Sequence, residues 1–350
     1  MSASAKPSRY AGTPNRPVFM GGCPRSGTTL IRTMLNSHPD LAMPHETRFL
    51  IDAYRRRRKW GDMSDPERRR ELARWIVRQP KTRVQRLTKD FDAFVERSVA
   101  APPTIGAVLS TGFTMYAERH GKRRWGDKRP SYILELDAVM AMFPNAQFIN
   151  VVRDPRAAVA SIRKIGWFAD GLSAGTALWL RSQRSADRWR RKLGPDQFLE
   201  IRYEQLVEDT EGTLSRLVEF LGLDPGGLES MLSYHEKIDI MSRQIHPLLD
   251  KPVTAAAVRS WETALERPEI GLIETTLADR MARYGYEPVA AGVPIPAELT
   301  GALRDRQRRW RREDRQRRRA QLRCRLLYRH GVAASVPNTR STTRVPAPPA

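Results

Sequence analysis

The run Gly22-Cys23-Pro24-Arg25-Ser26-Gly27-Thr28-Thr29 has the parts of an anion cradle. Two glycines five positions apart let a backbone wrap an oxyanion, and a helix starting directly after adds unpaired N–H groups and a partial positive charge. Position 28 is Thr, where a loop that handles nucleoside triphosphates carries Lys. Such a loop uses that Lys, with Mg²⁺, against the several charges of the β- and γ-phosphates. Arg25 and the hydroxyls of Ser26, Thr28 and Thr29 suit a less charged, diester-like group instead. A phosphosulfate fits that description, because its terminal sulfuryl group carries a single negative charge.

A second anion-binding pattern lies about 130 residues on. The apolar run Phe148-Ile149-Asn150-Val151-Val152 ends in Arg153-Asp154-Pro155-Arg156, with Ser161 seven residues after Asp154. At ~3.6 residues per turn, that spacing puts the Ser hydroxyl on the side of the helix entrance. Arg153 and Ser161 could grip a further phosphate, although an Arg before Asp-Pro also makes a plain ion pair at a helix cap.

These residues need strand ends and helix starts to hold them, and the pattern supplies both. Val18-Phe19-Met20 reads as a buried strand entering the glycine loop, and Thr28 to Asn36 as a helix with Leu30, Ile31, Met34 and Leu35 on one face. Residues 50 to 100 read as amphipathic helices with charged outer faces, and Arg124-Trp125-Gly126 as a short strand. The pattern predicts a helix over Ser131 to Met142, the clearest strand at Phe148 to Val152, and a helix over Ala157 to Lys164 capped by Asp154-Pro155. Phe198 to Ile201 then reads as a strand and Thr210 to Leu221 as a helix. This alternation predicts an α/β fold, a P-loop-like central parallel sheet flanked by helices, with ligands at the carboxyl ends of the strands.

The chain has 350 residues, 61 Lys and Arg against 39 Asp and Glu, and a formal charge of +22. Of this, +12 falls after position 300, in 15 Arg and three acidic residues. The expected organisation is a flexible lead over 1–16, a catalytic domain over 17–290, a basic helical extension over 291–330 with a separate helix from Arg304 to Arg329, and a disordered tail over 331–350. The helix holding Trp179 and Trp189 reads as core or a lid. Two cysteines cannot build a disulfide framework or a cysteine metal cluster, and six His without paired ligand spacing give no metal site. No stretch reaches the ~18 apolar residues of a membrane span, and the expectation is a cytoplasmic protein.

The loop and the strand-end motif, in this order, resemble the PAPS-dependent sulfotransferases, where PAPS is 3′-phosphoadenylyl sulfate. Within them the chain is most similar to the tyrosylprotein sulfotransferases: His38-Pro39-Asp40 leads to Glu46-Thr47-Arg48. Gly126-Asp127-Lys128, Tyr203-Glu204-Gln205-Leu206-Val207, Lys251-Pro252-Val253 before Trp261, and Tyr284-Gly285-Tyr286-Glu287-Pro288 extend the likeness. The resemblance implies that Arg25, Ser26, Gly27, Thr28 and Thr29 hold the 5′-phosphosulfate, and that Arg153 and Ser161 hold the 3′-phosphate. It implies Glu46 as catalytic base and Lys128 as the cation beside the oxygen bridging phosphorus and sulfur. Tyr203 and the segment from Lys251 through Arg259 to Trp261 would close over the nucleotide. Two positions depart from the family pattern: Ile165 stands four residues after Ser161, with Arg163 and Lys164 just before it, and Ser260 stands beside Trp261.

His45 rivals Glu46 as base, since a free imidazole titrates near 6.5. PAPS as co-substrate, an unidentified hydroxyl acceptor, less readily an amine, and no metal are the expected partners. The alternatives are a P-loop nucleotide kinase, which needs Mg²⁺ and ATP, and a protein that binds nucleic acid or another anionic surface through its Arg-rich tail. Arg55 to Lys59 reads as a solvated helix face.

Overall fold

The computed structural model describes residues 16–79, 83–166, 168–237 and 258–327, with backbone only for 317, 318 and 320–327. The first half runs β1 (Val18–Gly22), α1 (Thr28–Ser37), β2 (Leu41–Ala42), α2 (Phe49–Arg55), α3 (Arg57–Trp60), α4 (Pro66–Arg78), α5 (Phe91–Ala100), α6 (Ile105–Arg119), β3 (Arg124–Lys128), α7 (Leu136–Met142) and β4 (Gln147–Val152). The second half runs α8 (Pro155–Ile165), α9 (Gly171–Arg190), β5 (Phe198–Arg202), α10 (Tyr203–Glu208), α11 (Thr210–Leu221), α12 (Leu228–Leu232), α13 (Arg267–Arg283) and α14 (Ala297–Leu327).

The strands form one parallel sheet in the order β2-β3-β1-β4-β5. Side chains of a strand alternate between faces, and β1 shows it. Phe19 packs with Trp125, Tyr132 and Phe148 under α2 to α7. Val18 and Met20 pack on the other face with Ile31, Leu35 and Leu217 of α1 and α11. With helices on both faces, the β4 sequence Gln-Phe-Ile-Asn-Val-Val is buried throughout, as a central parallel strand must be.

Two elements differ from the sequence reading. Pro130–Leu134 is a 3-10 turn and only Leu136–Met142 is α-helical, because Tyr132 turns inward to bond Asp127. The Arg-rich helix begins earlier, at Ala297, and does not stand apart. Leu303 and Trp310 are buried with residues of α8, α9 and α13, and the Arg181 guanidinium lies 4.7 Å from the Trp310 ring centroid. A cavity of about 330 Å³ remains between α9 and α14, lined by Arg181, Arg184, Trp310 and Arg311, and none of the motif residues reaches it. Of the lead expected over 1–16, residues 1–15 lie outside the described residues, as does the tail over 331–350, whereas Arg16 is buried and its Nε donates to the Asn145 carbonyl at 2.7 Å. No described helix is long and apolar enough to cross a membrane.

Candidate active site

β1, β3 and β4 end side by side, and each delivers a motif to the same edge of the sheet. From β1 the chain enters the glycine loop. Gly22 has φ 152°, and a Cβ there would stand 2.2 Å from the Val151 carbonyl oxygen, so only glycine lets the loop leave the strand beside β4. Gly27 has φ 90°, and its Cβ would meet the Tyr203 ring at 2.4 Å. Arg25 itself takes a left-handed φ of 69°. This curls the loop over the start of α1.

The start of α1 is open. Side chains of Asp65, Asp90, Thr104, Asp154, Asp170 and Asp209 cap α4, α5, α6, α8, α9 and α11, whereas α1, like the shorter helices α2, α3, α7, α10 and α12, has no side-chain cap. An uncapped helix start leaves its first N–H groups to water or to an anion. Ser26 Oγ in the same loop is buried and has no hydrogen-bond partner among the described residues. A buried hydroxyl of this kind costs stability unless a ligand completes it, so the loop fits an oxyanion.

Arg25 joins the two anion-binding motifs. Its Nε donates to Ser161 Oγ at 3.0 Å, and its carbonyl oxygen accepts from Arg153 Nη1 at 2.9 Å. Residues 128 and 136 positions apart are thus brought to one point. Burial, and then the Arg153 charge, pull the Arg25 guanidinium below its usual range. Two guanidiniums held so close are at their most favourable with an anion between them. Tyr203 sits beneath: its ring faces Gly27, and the Arg153 guanidinium lies 4.7 Å from its centroid. Trp179 is buried core, and its Nε1 donates to the Arg153 carbonyl at 3.0 Å.

Lys128 closes the third side. In register with Met20 of β1, its Nζ donates to Glu46 Oε1 at 2.5 Å and to Thr29 Oγ1 at 3.2 Å. Burial lowers the Lys128 ammonium, and the nearby Arg32 adds to this against the opposing pull of Glu46. Burial would raise the Glu46 carboxyl, but Lys128, Arg129 and Arg48 outweigh it and hold Glu46 below its usual range. Burial is thus the leading cause for Lys128, and the surrounding cations decide the direction for Glu46. Arg86 Nη1 donates to the Glu46 carbonyl at 2.8 Å and so fixes the backbone at that residue.

A model of the Sulfotransferase family matches residues 17–225, more than half of the chain. The chain belongs to the sulfotransferase family. Protein-tyrosine sulfotransferase A of Caenorhabditis elegans is 26% identical over 286 residues, covering 78% of this chain and 68% of that protein. Protein-tyrosine sulfotransferase 1 of Homo sapiens is 26% identical over 287 residues, covering 78% and 70%. Among solved structures, the sulfotransferase domain from the Synechococcus PCC 7002 olefin synthase aligns with a TM-score of 0.51 at 26% identity, over 75% of this chain and 95% of that one.

This sulfotransferase therefore gathers Arg25, Ser26, Gly27, Thr28, Thr29, Arg153, Ser161, Tyr203, Lys128 and Glu46 at one sheet edge. Other named residues stand elsewhere. Arg259 is exposed and paired with Glu262 at 2.7 Å, and Lys251 lies outside the described residues. Arg163 pairs with Glu269 and donates to the Ala264 carbonyl at 2.7 Å, which turns it toward α13. His38, in the His-Pro-Asp step, is structural. Its Nδ1 accepts from the Asp40 N–H at 3.0 Å, so Nε2 carries the proton and donates to the Asp224 carbonyl at 2.9 Å. The sequence reading missed Arg86, because an arginine with no motif around it carries no signal of what it reaches.

Proposed function

We propose that this sulfotransferase moves the sulfuryl group of PAPS to a hydroxyl of its acceptor, with Glu46 as general base. In that reaction the bond from sulfur to the bridging phosphate oxygen breaks and a bond from sulfur to the acceptor oxygen forms. The acceptor proton passes to Glu46, and adenosine 3′,5′-bisphosphate (PAP) leaves. Glu46 is ionised at neutral pH in the ion pair with Lys128, so it is ready to accept a proton. Lys128 would neutralise the charge growing on the leaving phosphate. The 5′-phosphosulfate fits the uncapped start of α1 with Ser26, Thr28 and Thr29, and the 3′-phosphate fits Arg153 and Ser161.

The observation that carries this reading is Arg25, whose side chain and carbonyl tie the glycine loop to Ser161 and Arg153. A donor with anionic groups at both ends of one nucleoside matches two linked cradles better than a triphosphate matches one. The relatives are named protein-tyrosine sulfotransferases, which puts a tyrosyl hydroxyl first among acceptors to try. The test is transfer of ³⁵S from labelled PAPS to a panel of hydroxyl acceptors in EDTA, with wild type beside Glu46→Gln. Metal-independent label transfer that the substitution abolishes supports the reading; transfer unchanged in Glu46→Gln removes Glu46, and no PAPS binding removes the function.

A further inference from the structure

Asp127 is wholly buried at the end of β3, on the strand face opposite Lys128. Its Oδ2 accepts from Thr47 Oγ1 at 3.0 Å and from the Tyr132 hydroxyl. Its Oδ1 has no hydrogen-bond partner among the described residues. Phe19 of β1 is in register with it, and the surroundings on that face are the aromatic cluster of Phe19, Trp125, Tyr132 and Phe143. A carboxyl that is half satisfied in apolar surroundings is a poor way to stabilise a sheet.

The arrangement makes sense as a clamp. Two consecutive residues of β3 hold two consecutive residues of the loop: Lys128 bonds Glu46 on one face, and Asp127 bonds Thr47 on the other. One contact alone would let the loop pivot about Lys128. Two on opposite sides fix both its position and its rotation, and the Arg86 contact to the Glu46 carbonyl sets its height. We propose that Asp127 is a positioning residue for the transfer reaction: by anchoring Thr47 and Tyr132 it holds the Glu46 carboxylate in its working orientation beside the glycine loop. Asp127 does not touch the reactants. This inference rests on Glu46 being the base.

A residue that only orients the base leaves nucleotide binding intact and lowers turnover. The experiment compares Thr47→Val, Asp127→Ala, Asp127→Asn and Glu46→Gln for kcat, KM for PAPS and calorimetric affinity for PAP. Thr47→Val deletes one hydroxyl at nearly constant volume, so it tests the contact even where Asp127→Ala does not fold. The expected result is a kcat about 10- to 100-fold lower for Thr47→Val and Asp127→Ala, the cost scale of misplacing a reacting group. KM and PAP affinity stay within about threefold of wild type, and Asp127→Asn, which keeps an oxygen acceptor for Thr47 and Tyr132, recovers most of kcat. If Glu46→Gln is inactive while Thr47→Val turns over like wild type, the positioning role is wrong and the base stands. A fall in PAP affinity that parallels kcat also overturns it, as does Asp127→Asn being no better than Asp127→Ala. Full activity in Glu46→Gln is the separate failure of the base assignment.

Discussion

The ends of β3 and β4 both carry buried charge, and they use it in opposite ways. At β4 the Arg156 guanidinium is saturated. It donates to Asp154 at 2.7 Å, to Glu274 at 2.7 Å and to the Glu287 carbonyl at 2.9 Å, and it lies 4.0 Å from the Trp261 ring centroid. Burial would lower this guanidinium, but Asp154 and Glu274 outweigh it and raise it. At β3 the Lys128 side chain is equally buried, yet its ammonium has one carboxylate and one hydroxyl, and it is held below its usual range. A saturated charge fixes α8 and α13 in place; an unsaturated one keeps capacity for a substrate. The Arg153 side chain, beside the Arg25 guanidinium, donates to the Arg25 carbonyl and lies over the Tyr203 ring.

That contrast is sharpest in stability against activity. Arg156→Leu strands Asp154 and Glu274 in the interior, and denaturant unfolding should show a loss of about 3–5 kcal/mol, the cost of breaking a buried ion pair. Unchanged stability there would erase the distinction. Glu46→Gln should lower kcat about 100- to 1,000-fold, within the range for a general base, while PAP affinity measured by calorimetry stays put. Loss of PAP binding would instead place Glu46 in the nucleotide cradle.

The pH dependence of stability separates the two strand ends again. Burial lifts the Asp127 carboxyl to about 6, against an ordinary 3.8. A carboxyl raised on folding favours the native state below the ordinary value, and the benefit is lost as pH rises toward 6. Wild type should therefore lose stability relative to Asp127→Asn between about pH 4 and 6, by up to roughly 3 kcal/mol, in parallel unfolding curves. Parallel, pH-independent curves would contradict the burial argument. Arg153→Ala should weaken PAP about 10- to 100-fold, as expected for a charge-assisted phosphate contact. Arg163→Ala, at a half-exposed pair with Glu269, should cost less than about 1 kcal/mol of stability and leave PAP affinity unchanged.

The contrast also marks what the sequence could show. The glycine loop was legible because wrapping an anion demands glycine at two fixed positions, and β4 was legible because a strand covered on both faces must be apolar. β2 has only Leu41 and Ala42, too short for any periodicity, and of β3 only Arg124-Trp125-Gly126 was legible as a strand, because Asp127 and Lys128 are buried by site chemistry rather than by hydrophobicity. The bond from Thr47 to Asp127 spans 80 residues, and that from Arg25 to Ser161 spans 136. Local pattern carries no information about such pairings. The resemblance supplied residue types and order, but it could not say that Arg163 and Arg259 turn toward surface glutamates, or that His38 is a strut.

The central claim is that the two linked cradles were shaped for PAP and its sulfated form. Titration calorimetry of the wild-type protein with PAP in EDTA, repeated with ATP and Mg²⁺ in place of PAP, tests it most directly. The account predicts one PAP per chain, bound far more tightly than ATP with Mg²⁺ and weakened by Arg25→Ala. Tighter binding of ATP with Mg²⁺ than of PAP would contradict it.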